Sequence, residues 1–322
     1  MLCKEYTQQY RLGWTARIRS EEIILSNEPV DSTRANSICV GIDGSPDEAG
    51  AVRWAVRLAQ LQHSQIHLVH ALPSVEWVFG DTVFAARQGL DSELHHVGQG
   101  YLDKAIRLVN ELDPDIEVQS SISDASSVEL MKSLSANASM MVLTSVESGP
   151  LRDFAFGYSI IEMVNAAQCP VLAWRPRPDK NMSESLPIVV GVDGSDPSRR
   201  ALAAAFELAD TLSAALIAVH VGAVREKDEL DYGGAVDWQH LREAERTWLQ
   251  KIVDPLREKY PSVQATTQSS GSTVARELRA LSAAAQVIVI GSRGRGRLSG
   301  AILGSVSQNL IHHAECPVLV VH

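Results

Sequence analysis

Two copies of one short sequence limit what this chain can become. Val40-Gly-Ile-Asp43-Gly-Ser45 returns as Val190-Gly-Val-Asp193-Gly-Ser195, 150 residues later, and Cys169-Pro-Val-Leu-Ala-Trp174 returns as Cys316-Pro-Val-Leu-Val-Val321, 147 residues later. The same beginning and the same end at nearly one spacing describe a single structural unit written twice, the second copy shorter by three residues in between. A chain of 322 residues suits two such units, because single cores usually stop growing near this size.

Within each copy the apolar pattern alternates between helix and strand periods. Ser45-Pro46-Asp47-Glu48 has the form of a capping box with proline at the first helical position, and Ser195-Asp196-Pro197 is its close equivalent. Val52, Ala55, Val56 and Ala59 then repeat at helical spacing, as do Leu202, Ala205, Phe206 and Ala209. Ile66 to His70 and Ala215 to His220 read as second strands. Longer helices follow, carrying Leu94, Val97, Tyr101, Ala105, Leu108 and Leu112 in one copy and Leu241, Ala244, Trp248, Ile252 and Leu256 in the other. Third strands are expected near 116–121 and 262–268. Met140 to Thr144 and Gln286 to Gly291 are continuous apolar runs, as a parallel strand buried on both faces requires. The order predicts an α/β fold: two tandem open, mostly parallel five-stranded sheets flanked by helices, Rossmann-like, with a crevice at the carboxyl ends of the strands.

Residues 176–186, rich in proline and polar side chains, form the expected linker between a domain at 37–175 and another at 187–322. Residues 1–36 have no counterpart before the second copy and are expected to be an N-terminal extension. A net charge of -10 argues against a surface that coats nucleic acid or anionic membrane. Cys3, Cys39, Cys169 and Cys316 form no C-x-x-C pair and signal neither zinc nor a disulfide framework. With no apolar run of membrane length and no secretory pattern at Met1-Leu-Cys-Lys-Glu-Tyr, the expected location is the cytoplasm.

The chemistry is concentrated in Gly291-Ser-Arg-Gly294-Arg-Gly-Arg-Leu-Ser-Gly-Ala-Ile-Leu-Gly304-Ser305, which lies where the fourth strand hands over to the last helix. Glycines let backbone N–H groups approach an anion, and a helix N-terminus adds partial positive charge. Asp193 belongs to the same crevice, at the end of the first strand of its copy. Arg293, Arg295 and Arg297 alternate along the loop and could balance phosphate charge or form a solvated basic loop. The first copy lacks most of this apparatus. Opposite Gly291, Gly294 and Ser305 it has Thr144, Glu147 and Tyr158, and it keeps only Gly157 opposite Gly304. A carboxylate and a phenol ring in the phosphate path predict weak or absent phosphate binding there, although Asp43 survives.

Taken together these residues resemble the universal stress protein family in its tandem form, over about residues 37–174 and 187–322. The family's nucleotide signature, G-x2-G-x9-G-[ST], is matched by Gly291, Gly294, Gly304 and Ser305. The resemblance implies a nucleotide-binding stress protein whose ligand is ATP, alone or with Mg2+. It places Val192 and Asp193 at the adenosine end, Val221 against the base, and Ile290 in the wall of the pocket. Gly291 and Gly294 would admit the phosphates, which Gly304, Ser305 and Val306 would hold at the last helix's start. It also implies that the final strands, 170–174 and 317–321, pair at sheet edges, within the chain and in a homodimer.

Other chemistries fit poorly. No lysine follows the glycines as in a P-loop, and Gly294-Arg-Gly296 does not complete a dinucleotide fingerprint. His312 and His313 are adjacent on a helix and point apart, which suits a helix C-terminus better than a metal pair. His70 and His220 read as packing or crevice-rim residues. No catalytic constellation and no protein metal site is expected. The leading reading is a nucleotide-dependent sensor or regulator with an unidentified protein partner. The alternatives are a slow ATPase or autophosphorylating enzyme using Ser305 or Ser307, and a nucleotide-free scaffold, which would be favoured if native mass spectrometry found no nucleotide and Gly291→Ala changed nothing.

Overall fold

The computed structural model describes residues 36–72, 84–144, 160–176, 185–222, 238–270, 273–294 and 303–322. All of these fall in one compact unit, residues 31–322. In the first copy the elements are β1 (Ser37–Gly41), α1 (Glu48–Gln62), β2 (Gln65–Ala71), α2 (Phe84–Leu112), β3 (Val118–Ser123), α3 (Ser127–Ser135), β4 (Met140–Thr144), α4 (Ile160–Ala166) and β5 (Val171–Trp174). The second copy repeats them as β6 (Ile188–Gly191), α5 (Asp196–Leu212), β7 (Leu216–Val221), α6 (Trp238–Lys259), β8 (Ala265–Ser270), α7 (Val274–Ser282), β9 (Val287–Gly291), α8 (Ser305–His313) and β10 (Val318–Val321).

The strands form one ten-stranded sheet in the order β3-β2-β1-β4-β5-β10-β9-β6-β7-β8. Each half is parallel throughout, and the two meet at an antiparallel seam where Leu172 faces Leu319 and Val171 faces Val320. The two expected five-stranded sheets are therefore fused. The final strands do dock within the chain, but the seam corrects the expectation of a homodimer through the same edges. Both sides of β5 and of β10 are already hydrogen-bonded, so neither offers a free edge.

Successive strand residues alternate between two cores, as the period-two geometry dictates. Val40, Val142, Leu172, Val190, Val289 and Leu319 face α1, α2, α5 and α6; Met141, Val171, Ile288, Val318 and Val320 face α3, α4, α7 and α8. Cys39, Cys169 and Cys316 are free thiols in the second core, filling it as small apolar groups. Burial pushes the Cys169 thiol up to about 12, so it stays protonated at neutral pH. No helix among the described residues is long and apolar enough to cross a membrane.

Two local expectations need correction. The first copy does not form the capping box: Asp47 is the N-cap without a side-chain bond, and the Ser45 hydroxyl has no partner among the described residues. Glu48 instead turns back and accepts the amides of Asp43 and Gly44 at 3.1 and 2.7 Å. The second copy does cap its helix, with Ser195 Oγ accepting from Ser198 N. The third strands begin two to three residues later than expected, at Val118 and Ala265. Most of the linker region and nearly all of the extension lie outside the described residues.

Candidate functional site

In the second half, β6 ends in a turn that the sequence builds from its own side chains. Gly194 takes φ +84°, which favours glycine, and Asp193 Oδ1 accepts from Ser195 N at 2.9 Å and from Ser195 Oγ at 2.6 Å. Beneath it, Ser198 Oγ accepts the amides of Asp193 and Gly194, each at 3.1 Å. Val192 is buried, and its carbonyl accepts from His220 Nδ1 at 2.7 Å at the end of β7. His220 in turn lies against Trp248, with ring centroids 4.7 Å apart. It is a packing residue of the crevice floor.

The glycine segment meets this turn. A Cβ on Gly294 would stand 2.6 Å from Asp193 Oδ2, so the two distant segments converge on one place. Gly291 has a different task. A Cβ there would stand 2.7 Å from the carbonyl carbon of Pro197 and 2.9 Å from Ser198 N, so this glycine lets β9 pass under the start of α5. Gly304 is the N-cap of α8, bonded through its amide to Ser292 O at 2.8 Å, and a Cβ on it would find nothing nearer than 3.5 Å among the described residues. Packing among the described residues does not demand glycine at 304. The first turn of α8 carries no acidic residue and its N-cap offers no side chain, leaving the amides of Ser305 and Val306 at an electropositive helix end. Ser305 is exposed, whereas Ser307 is buried and donates to Gly291 O at 2.9 Å. Ile290 and Val221 lie on the opposite sheet face from Val192. Arg295 and Arg297 lie outside the described residues.

The first half keeps the turn and changes what surrounds it. Asp43 Oδ1 accepts from Ser45 N at 2.8 Å, and Gly44 has φ +71°. Its other oxygen, Oδ2, accepts the Thr144 hydroxyl at 2.7 Å, where the second half has Gly291 and no hydroxyl. The Tyr101 ring presses on Gly44, leaving no room for a side chain there. Glu48 takes the place of Ser198, and burial, reinforced by Asp43, raises its carboxyl above the ordinary glutamate range against the two amides it accepts. The turn of this half is covered by its own tyrosine and carries two carboxylates, Asp43 and Glu48. Glu147, Gly157 and Tyr158 lie outside the described residues.

The universal stress protein family model matches residues 35–175 and again 185–322. The chain belongs to this family. A universal stress protein of Mycobacterium tuberculosis is 32% identical over 294 residues, spanning 88% of this chain and 95% of its own. A second, from Mycolicibacterium smegmatis, is 28% identical over 301 residues, spanning 91% and 99%. Among solved structures, a universal stress protein from Archaeoglobus fulgidus shares the fold at a TM-score of 0.63 and 16% identity, covering 90% of this chain and 97% of that one. The tandem arrangement and the Rossmann-like fold are thus shared with these relatives.

Three parts of this universal stress protein's crevice escaped the sequence reading. Ser198, which supports the Asp193 turn, lies five residues beyond the aspartate and is marked only by its match to Glu48. Glu245 on α6 sits against Gly222, where any side chain would run into its carboxylate. Arg200 donates through Nε to the His322 carbonyl, and burial, then the Arg293 and Arg200 charges, hold the His322 imidazole below its ordinary range. No simple periodicity joins these last residues, which meet only across the sheet ends.

Proposed function

We propose that the second half of this universal stress protein binds ATP across the crevice between the Asp193 turn and the start of α8, and that the first half does not. The observation that carries this reading is the meeting of Gly294 with Asp193, next to a helix N-terminus whose N-cap is a glycine and whose first turn carries no acidic residue. An anion at such a helix end gains about 0.3–1 kcal/mol when exposed and up to about 2 when partly buried. The residues fit a nucleotide lying across the strand ends: Val192 on one sheet face and Val221 and Ile290 on the other supply apolar surface, Asp193 a polar contact at the nucleoside end, and Gly294, Gly304, Ser305 and Val306 backbone access for phosphates. Gly291 serves indirectly, by bringing β9 under α5. Arg293 and Arg200 place cationic charge at the phosphate end. No group of three His, Cys, Asp or Glu among the described residues is arranged to hold a metal, so Mg2+ would enter bound to the phosphates.

The role we assign is a cytoplasmic, nucleotide-dependent sensor in the stress response, in which ATP changes the surface that a protein partner meets. Against phosphoryl transfer to Ser307 stands its burial and its bond to Gly291 O. Incubation of the purified chain with labelled ATP tests the role. Retention of nucleotide without turnover is the expected result; steady phosphate release, or label on Ser305, would make the protein an enzyme.

A further inference from the structure

We infer that Glu245 is the acceptor for the ligand's ribose 2′-hydroxyl, so that the site selects ribonucleotides over 2′-deoxyribonucleotides; this rests on the nucleotide reading of the second half. The first observation is position. Gly222 follows the last residue of β7, its amide bonded to Ser270 O at 3.1 Å, and the Glu245 carboxylate lies directly against its Cα. That puts a carboxylate at the carboxyl end of the second strand of an open α/β sheet. In such sheets a carboxylate at this position can accept hydrogen bonds from ribose, because a carboxylate only accepts and a hydroxyl can donate.

The second observation is division of labour. Asp193 Oδ1 is held by the amide and hydroxyl of Ser195, so this carboxylate is partly committed to its own turn. Glu245 is the second carboxylate at that end of the crevice. Its negative charge repels phosphates, which fixes ligand polarity: ribose toward α6, phosphates toward α8 and Arg293. The third observation is the twin. The residue in the first half that matches Glu245 is Gly98, and a Cβ there would meet His70 Cδ2 at 2.5 Å. The half that lost the glycine signature therefore also lacks this carboxylate, although it keeps the histidine, His70, that matches His220.

The test is a thermodynamic cycle on the full chain. ATP and 2′-deoxy-ATP are titrated calorimetrically into the wild type, Glu245→Gln and Glu245→Ala, with thermal melts confirming that each variant is folded. The wild type is expected to prefer ATP by on the order of tenfold, the equivalent of one charged hydrogen bond. Both variants should bring the two ligands to near parity by weakening ATP while leaving 2′-deoxy-ATP little changed. A wild type that does not discriminate, or variants that weaken both ligands equally, would overturn the Glu245 assignment while leaving ATP binding intact. A wild type that binds neither ligand would instead remove the nucleotide reading and this inference with it.

Discussion

Gly291 and Gly304 stand in one sequence signature and yet have different physical reasons to be glycine. A methyl group at 291 would press on the backbone of Pro197 and Ser198, which cannot rotate away, so Gly291→Ala should destabilise the fold by about 1–3 kcal/mol in urea unfolding. At 304 the methyl meets only ordinary contacts, so Gly304→Ala should stay folded and lose ATP affinity instead. Equal destabilisation by the two substitutions would contradict this division. It also makes Gly291→Ala a poor test of ligand binding. From sequence the two glycines look alike, because the obstacle at 291 belongs to a helix about a hundred residues earlier. Glu48 gives a second residue-level prediction. Its folded-state carboxyl is raised, chiefly by burial, so folded protein keeps a proton that the unfolded chain has released. Its contribution to stability is therefore present below the ordinary glutamate range and falls as pH rises through the folded value. The melting temperature of Glu48→Gln relative to wild type should accordingly rise from about pH 4 to about pH 7; a difference constant with pH would mean that Glu48 is not desolvated as described.

At the scale of elements, the strands that both cores bury were the most legible. Met140 to Thr144 is β4 itself, and β9 begins one residue after the expected start, because continuous apolar runs leave a parallel strand little alternative. The outer strands β3 and β8 were displaced, since Val118-Gln-Ser-Ser-Ile-Ser and Ala265-Thr-Thr-Gln-Ser-Ser are mostly polar and carry little periodic signal. The capping box failed in the first half for a chemical reason: two amides of a tight turn compete for the Glu48 carboxylate and win. Helix α8 links the candidate site to the other half. Its start faces the crevice, and at its end Arg175, just after β5, donates to the carbonyls of Ile311 and His312 at 3.1 and 2.7 Å. Arg175→Ala should remove about 1 kcal/mol of local stability. Hydrogen exchange across residues 305–313 should then quicken while β9 and β10 stay protected; unchanged exchange would show that this cap does not hold the helix.

For the whole molecule, the repeat foretold both halves, and the seam explains why the first half can lose its glycines and persist. β5 closes the edge that β10 would otherwise expose, with Trp174 packed on Gly50 behind it. In the first half Thr144 satisfies Asp43 and Tyr101 covers the turn, as the proposal of a non-binding first half requires. Sequence comparison of the halves showed the missing glycines. It could not show Tyr101 lying on Gly44 or Thr144 bonding Asp43, since those contacts join residues far apart in the chain. The central claim is one competent site per chain, in the second half. Calorimetric titration of the full chain with ATP measures it most directly. The account predicts a stoichiometry of one, falling to none in Gly304→Ala while the fold survives; two equal sites, or none in the wild type, would contradict it.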